Sequence, residues 1–117
     1  MYKPVVKVWC LPESTEEELR GLFEKIVEAL CSIESLGLKS EKDLLVLFPK
    51  DMMIYGLGSE IHIEMRYFSC NTTSYRAVFS EATKSVVKTL SRLYPTAHIQ
   101  CSLSNAVGTF RAHNTPK

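Results

Sequence analysis

The sequence predicts an α/β fold of two tandem βαβ units: a four-stranded sheet with two helices on one face and short extra strands at its edges. Three observations carry this expectation. An apolar strand opens the chain, each half holds one segment with apolar residues at helical spacing, and a sharply alternating segment begins the second half.

Pro4-Val5-Val6-Lys7-Val8-Trp9-Cys10 reads as the first strand, and Pro12-Glu13-Ser14 breaks it. Ser14 with Glu17 gives a capping-box signature for a helix start. Leu19, Leu22, Phe23, Ile26, Leu30 and Ile33 then form one apolar face that runs toward Gly37, with Lys39 and Ser40 in the loop beyond. Leu44-Leu45-Val46-Leu47-Phe48 is a continuous apolar run that predicts a strand covered on both faces and ended by Pro49. In the second half, Ile61, Ile63, Met65 and Tyr67 alternate with Glu60, His62, Glu64 and Arg66, the period of a strand. A polar loop from Ser69 to Ser74 leads to a helix with the face Tyr75, Val78, Phe79, Ala82, Val86, Leu90 and Leu93, closed by Pro95. His98 to Leu103 reads as the last strand. No linker or low-complexity segment divides the chain, so residues 1–117 are expected to form one domain.

Two helices on a four-stranded sheet cover one face only, so the other must meet water or another subunit. Met52-Met53-Ile54-Tyr55, followed by Gly56-Leu57-Gly58, is a candidate edge strand inviting a neighbour, or else a hairpin arm packed on its own domain.

Composition narrows the partners. Fourteen basic and thirteen acidic residues leave a formal net charge of +1 with no basic stripe, which argues against nucleic acid and anionic lipid. No apolar run reaches the roughly 18 residues of a membrane span, and no signal-peptide centre is present, so the expectation is a cytoplasmic protein. Cys10, Cys31, Cys70 and Cys101 are scattered singly, with neither zinc-site spacing nor the density of a disulfide scaffold. No metal and no cofactor is expected. Asn71-Thr72-Thr73 matches a glycosylation acceptor but reads as the loop before a helix.

Taken together, these residues resemble the tautomerase superfamily, and the macrophage migration inhibitory factor group most closely. The resemblance rests on Pro4 opening the first strand, Pro12 after it, Pro49 before the segment 51–60, Ser74-Tyr75 at the second helix start, and Asn105-Ala106-Val107-Gly108 with Phe110. It implies a homotrimer of tandem βαβ subunits whose sheets enclose a central channel. It also places Pro4 where the family keeps a catalytic N-terminal proline. Lys39 falls near a pocket lysine, Cys70 where a backbone amide faces the pocket, and Thr72 near a second lysine. His98 and Gln100 take the places of an aromatic and an asparagine from the adjoining subunit. The implied chemistry is proton transfer on small 2-oxo or enol carboxylates. A proline amine of lowered pKa moves the proton while cationic side chains hold the carboxylate and the developing enolate.

That chemistry needs a free amine. In this sequence Pro4 is acylated by Lys3, so its nitrogen is an amide without a usable lone pair. Tyr2 is too large for ordinary methionine removal, and a trypsin-like cut after Lys3 is disfavoured by the proline that follows. Ordinary processing is therefore expected to leave Met1-Tyr2-Lys3 at the substrate entrance, with Tyr2 as a candidate plug. Tautomerase activity then requires Pro4 to become N-terminal. The alternative is a non-catalytic ligand-binding or protein-interaction trimer.

Other readings compete at single positions. The row Glu60, His62, Glu64, Arg66 offers too few ligands for a metal and reads as an ion-pair ladder on a wet face. Lys39 also fits an exposed lysine beyond a helix C terminus, His98 a strand histidine satisfied by a neighbour, and Trp9 core or interface. The order βαββαβ is shared by ferredoxin-like domains, whose second and third strands join in a tight hairpin, whereas here residues 49–59 intervene.

Overall fold

The structure is a computed structural model and describes residues 3–49, 60–105 and 107–116. Its elements are β1 (Val5–Trp9), α1 (Glu16–Cys31), β2 (Leu45–Leu47), β3 (Glu60–Arg66), α2 (Tyr75–Leu93), β4 (His98–Asn105) and β5 (Gly108–Asn114), with 3₁₀ turns at Glu34–Leu36 and Glu41–Asp43. The five strands form one sheet in the order β2-β1-β3-β4-β5.

Register builds the sheet from the centre outward. β1 and β3 run antiparallel, with Val5 opposite Arg66 and Trp9 opposite His62. Each carries its βαβ partner in parallel on its outer side: β2 pairs with β1 from Val5–Leu45, and β4 pairs with β3 from Glu60–His98. The parallel strands of each unit are thus neighbours, which separates this topology from the split βαβ of ferredoxin-like domains. β5 then folds back antiparallel on β4, with Asn105 opposite Gly108 and Leu103 opposite Phe110.

One hydrophobic core lies between the sheet and the two helices. Val6, Val8, Ile61, Ile63, Met65, Ile99 and Leu103 alternate inward from the strands and meet Leu22, Ile26 and Leu30 of α1 and Val78, Ala82, Val86 and Leu90 of α2. The Phe79 and Phe110 rings, 5.4 Å apart and tilted by 54°, tie α2 to β5. Both helices cover the same face. The opposite face carries Lys7, Trp9, His62, Glu64 and Gln100, all at least partly exposed.

Several boundaries differ from expectation for local reasons. The capping box of α1 uses Thr15 and Glu18: the Glu18 N–H donates to Thr15 Oγ1 (3.1 Å) and the Thr15 N–H to Glu18 Oε1 (3.0 Å). Ser14 instead donates its hydroxyl to the Pro12 carbonyl at 2.8 Å. Ser14–Glu17 and Thr15–Glu18 have the same spacing, and the latter wins. The helix stops at Cys31, where the Ser32 hydroxyl turns back to the Ala29 carbonyl (2.7 Å). Ile33 stays buried, and Gly37, at a φ of 71°, closes the 3₁₀ turn that follows.

Three expectations require correction. β2 is not covered on both faces: it is a three-residue edge strand with Leu45 46% and Leu47 37% exposed, because the helices shield one face only. The extra edge strand beside the four expected ones is not short: Gly108–Asn114 is a full seven-residue strand. Tyr67 does not continue the inward row of β3. Its φ of 65° ends the strand, leaves it 49% exposed and sends Phe68 into the core. The candidate edge strand Met52–Tyr55 lies outside the described residues.

Candidate functional site

Two groups of side chains sit at opposite ends of the sheet. The first gathers around the start of β1. Pro4 is half-buried, and its carbonyl accepts the Leu45 N–H at 2.8 Å, which pins the entry of β1 to β2. Its nitrogen stands in the amide bond with Lys3. The parallel pairing of β1 and β2 brings the loop before β2, with Lys39, to this end.

That loop is organised by a residue the sequence reading passed over. Asp43 Oδ2 accepts the backbone N–H of Lys39 (2.8 Å) and of Ser40 (3.2 Å). The Lys39 bond chiefly holds the Asp43 carboxyl below its ordinary 3.8. The Ser40 bond adds to this, desolvation opposes it, and the charges of Lys39 and Lys3 contribute further. The Ser40-x-x-Asp43 spacing, a capping-box pattern, was its visible signal. Lys39 is exposed, as a substrate-holding cation must be, but it already has a carboxylate in its own loop.

The loop after β3 reaches the same end, because Val5 faces Arg66 at the close of that strand. The Asn71 N–H donates to the Ser35 carbonyl at 3.1 Å, fastening this loop to the turn that leads toward Lys39. Cys70, half-buried, and Thr72 are in direct contact, Sγ to Oγ1 at 3.2 Å. Pro4, Lys39, Cys70 and Thr72 therefore share one end of the sheet. Tyr2 lies outside the described residues.

His98 and Gln100 are elsewhere. They start β4 beside Glu60 and His62, six residues along β3 from Arg66, or about 20 Å at the rise of a strand. Within one chain they do not meet Pro4.

They belong instead to the open face of the sheet, where a concavity of about 860 Å³ spans β1, β3, β4 and β5. All three histidines of the sequence, His62, His98 and His113, line it. Among the described residues its one acidic lining residue, Glu64, and Glu60 beside it at the start of β3 are both engaged. Glu64 accepts the Trp9 indole N–H at 2.9 Å and pairs with Arg66 at 3.6 Å, and Glu60 meets His62 at 3.1 Å. Trp9 is thus neither core nor idle surface: its ring is held at the wall by Glu64. Arg111 and His113 escaped the sequence reading because β5 was not recognised as a strand. Their alternation with Phe110 and Ala112 was the available clue.

No protein-family model and no curated protein matches the chain. The architecture itself, two βαβ units with β1 and β3 at the centre and a returning fifth strand, is the macrophage migration inhibitory factor-like form of the tautomerase fold. Two solved structures carry the likeness. Macrophage migration inhibitory factor from Toxoplasma gondii superposes with a TM-score of 0.63 over 86% of this chain and 88% of that one, at 14% identity. The corresponding protein from Giardia lamblia gives 0.54 over 87% and 98%, at 12% identity. At these identities the likeness is one of fold. Among the described residues no helix is long and apolar enough to cross a membrane.

Proposed function

We propose that residues 1–117 form one domain of a cytoplasmic, macrophage migration inhibitory factor-like homotrimer whose Pro4 is silent as a base while Lys3 acylates it. In that state the protein is a ligand-binding or protein-interaction trimer. A chain beginning at Pro4 becomes a keto-enol tautomerase for small 2-oxo acids. The observation that supports this reading is the position of Pro4: first residue before β1, half-buried, and at the same end of the sheet as Lys39, Cys70 and Thr72. With its amine freed, Pro4 would take a proton from the carbon beside the keto group and return it to oxygen or carbon, while Lys39 holds the carboxylate. His98 and Gln100 would reach this site only from a neighbouring subunit. The trimer draws support from the exposed Leu45 and Leu47 on the β2 edge and from the sheet face that no helix covers.

Two preparations test the proposal: the chain as written, and one released from an N-terminal fusion so that it begins at Pro4. Phenylpyruvate keto-enol exchange should run at the solvent rate with the first and faster with the second, and Pro4→Ala in the second should abolish the gain. Turnover by the uncut chain, insensitive to Pro4→Ala, would refute the assigned role. A native mass other than three chains would remove the trimer.

A further inference from the structure

Both helices turn one side to the core and the other to solvent, and the solvent sides of the two are complementary. On α1, whose core side is Leu22, Ile26 and Leu30, the opposite stripe is Glu17, Gly21, Glu24 and Glu28. On α2, whose core side includes Ala82, Val86 and Leu90, it is Ala77, Glu81, Lys84 and Lys88. The two stripes share one spacing, in steps of four, three and four residues.

Their charges are opposite. α1 carries five carboxylates against two cations, and α2 four cations against one carboxylate. The helix dipoles explain part of this, since they favour Glu16, Glu17 and Glu18 in the first turn of α1 and Arg92 in the last turn of α2. They do not explain Glu24, Lys84 or Lys88, and they disfavour Glu28, which stands in the last turn of α1. Nor are these charges used inside the chain: among the described residues the one helical ion pair is Arg20 to Glu16 at 3.6 Å, within α1. Gly21 is a second, independent sign. A Cβ added there would meet nothing within 4 Å, so no contact inside this chain calls for glycine, and a glycine inside a helix weakens it relative to alanine. On the outer stripe it lets another helix come close.

Topology supplies the symmetry. Each helix runs against the strands of its own unit and β1 and β3 are antiparallel, so α1 and α2 lie antiparallel. Their relative height is marked twice. The charge of Glu18 reaches the Tyr94 hydroxyl, and a groove of about 340 Å³ between the helices is lined by Glu28 and Ala29 on one side and Thr89 and Arg92 on the other. Glu24 and Glu28 therefore stand level with the half of α2 that carries Lys84, Lys88 and Arg92. A two-fold axis parallel to the helices, set between two such layers, lays each α1 on the other copy's α2 without sliding either lengthwise. Level residues then meet at both contacts.

We propose that the helical face is a docking surface for a second copy of this chain, related by that two-fold axis, with Glu24 and Glu28 of each copy against Lys84, Lys88 and Arg92 of the other. The face lies on the far side of the core from the open side of the sheet, and it uses none of the residues assigned to Pro4 chemistry or to the trimer. A single chain pairs through it, and a trimer, with one such face per subunit, is linked to further trimers. A polyanion is a poorer occupant although the period of α2 gathers its cations, because α1 sets five carboxylates beside them.

Sedimentation of the full chain at about 0.05 M and about 1 M salt reads the pairing. The mass at low salt should climb with concentration to at least twice the high-salt value, since exposed ion pairs are screened. Glu24→Lys with Glu28→Lys, and Lys84→Glu with Lys88→Glu, should each weaken the low-salt association at least tenfold, because each sets like charges face to face. An equimolar mixture of the two variants should restore it, because both contacts of the mixed pair again join opposite charges. Gly21→Gln should weaken association while making the helix more stable, two effects of opposite sign. The four charged positions are exposed, so the variants keep the fold, which circular dichroism verifies. A mass independent of salt, association untouched by either charge reversal, reversed variants that fail to rescue each other, or undiminished association of Gly21→Gln would each overturn the proposal. Binding of duplex DNA or anionic vesicles with no change in the protein's own mass would give the face to a polyanion and overturn it too. The high-salt mass reports the trimer separately, so this proposal and the trimer fail by different results.

Discussion

Raising the pH from 8 to 10 should destabilise this protein through one thiol. Cys101 sits in the core on β4, its Sγ 3.5 Å from Met65 Sδ, and burial pushes its pKa from an ordinary 9.0 up to about 12. The folded state therefore holds the neutral thiol long after the unfolded chain would release the proton. Stability from this group is complete below 9 and is lost as pH rises from 9 toward 12. Linkage gives the size. At pH 8 the loss is below about 0.1 kcal/mol, and at pH 10 it is about 1.4 kcal/mol. Cys101→Ala removes the thiol. The variant is less stable by a packing cost that does not depend on pH, but it should lack this slope. Cys31 and Tyr94, whose pKa values burial also raises, stay in both proteins and cancel. Urea unfolding in reductant, followed by circular dichroism at pH 8 and 10, reads the difference. If wild type and Cys101→Ala lose the same free energy between those pH values, the thiol is not held neutral by burial and the reasoning fails.

Three further outcomes test how the chain builds its site. Thr15→Ala should cost about 1 kcal/mol in urea unfolding and Ser14→Ala clearly less, since Thr15 caps α1. Gly37→Ala should cost about 1 kcal/mol or more by the same measurement, because its φ of 71° suits only glycine well. Asp43, whose folded pKa lies below 3.8, contributes stability that is complete above that value and is lost as pH falls through the folded one. The stability gap between wild type and Asp43→Asn, followed by acid titration of circular dichroism, should therefore narrow on strong acidification.

The elements that were plain in the sequence are those whose burial is one-sided and regular. β3 alternates residue by residue, and α2 keeps an apolar face from Val78 to Leu90, so both periods survive in the sequence. β5 did not announce itself: of its residues only Phe110 and Ala112 pack inward, and its place depends on its pairing with β4 and on Phe79, which are not encoded locally. β2 misled for the opposite reason. A run of five apolar residues looks like a strand buried on both faces, whereas here two of them, Leu45 and Leu47, are surplus to the fold of one chain. For the site, Pro4 and its acylation were legible because the covalent bond to Lys3 is written in the order of residues. Asp43 and the Trp9–Glu64 bond were not, because each depends on which atoms the tertiary fold brings within 3 Å.

The hydrogen bond from Leu45 to the Pro4 carbonyl bears on what scission of the Lys3–Pro4 bond would do to the first strand. In many zymogens the new amino terminus must travel after the cut, and the scaffold rearranges around it. Here the tether lies on the downstream side of the Lys3–Pro4 bond, so scission would leave the strand fastened by the same carbonyl. The amine would be born in register, with no rearrangement of the strand needed to place it.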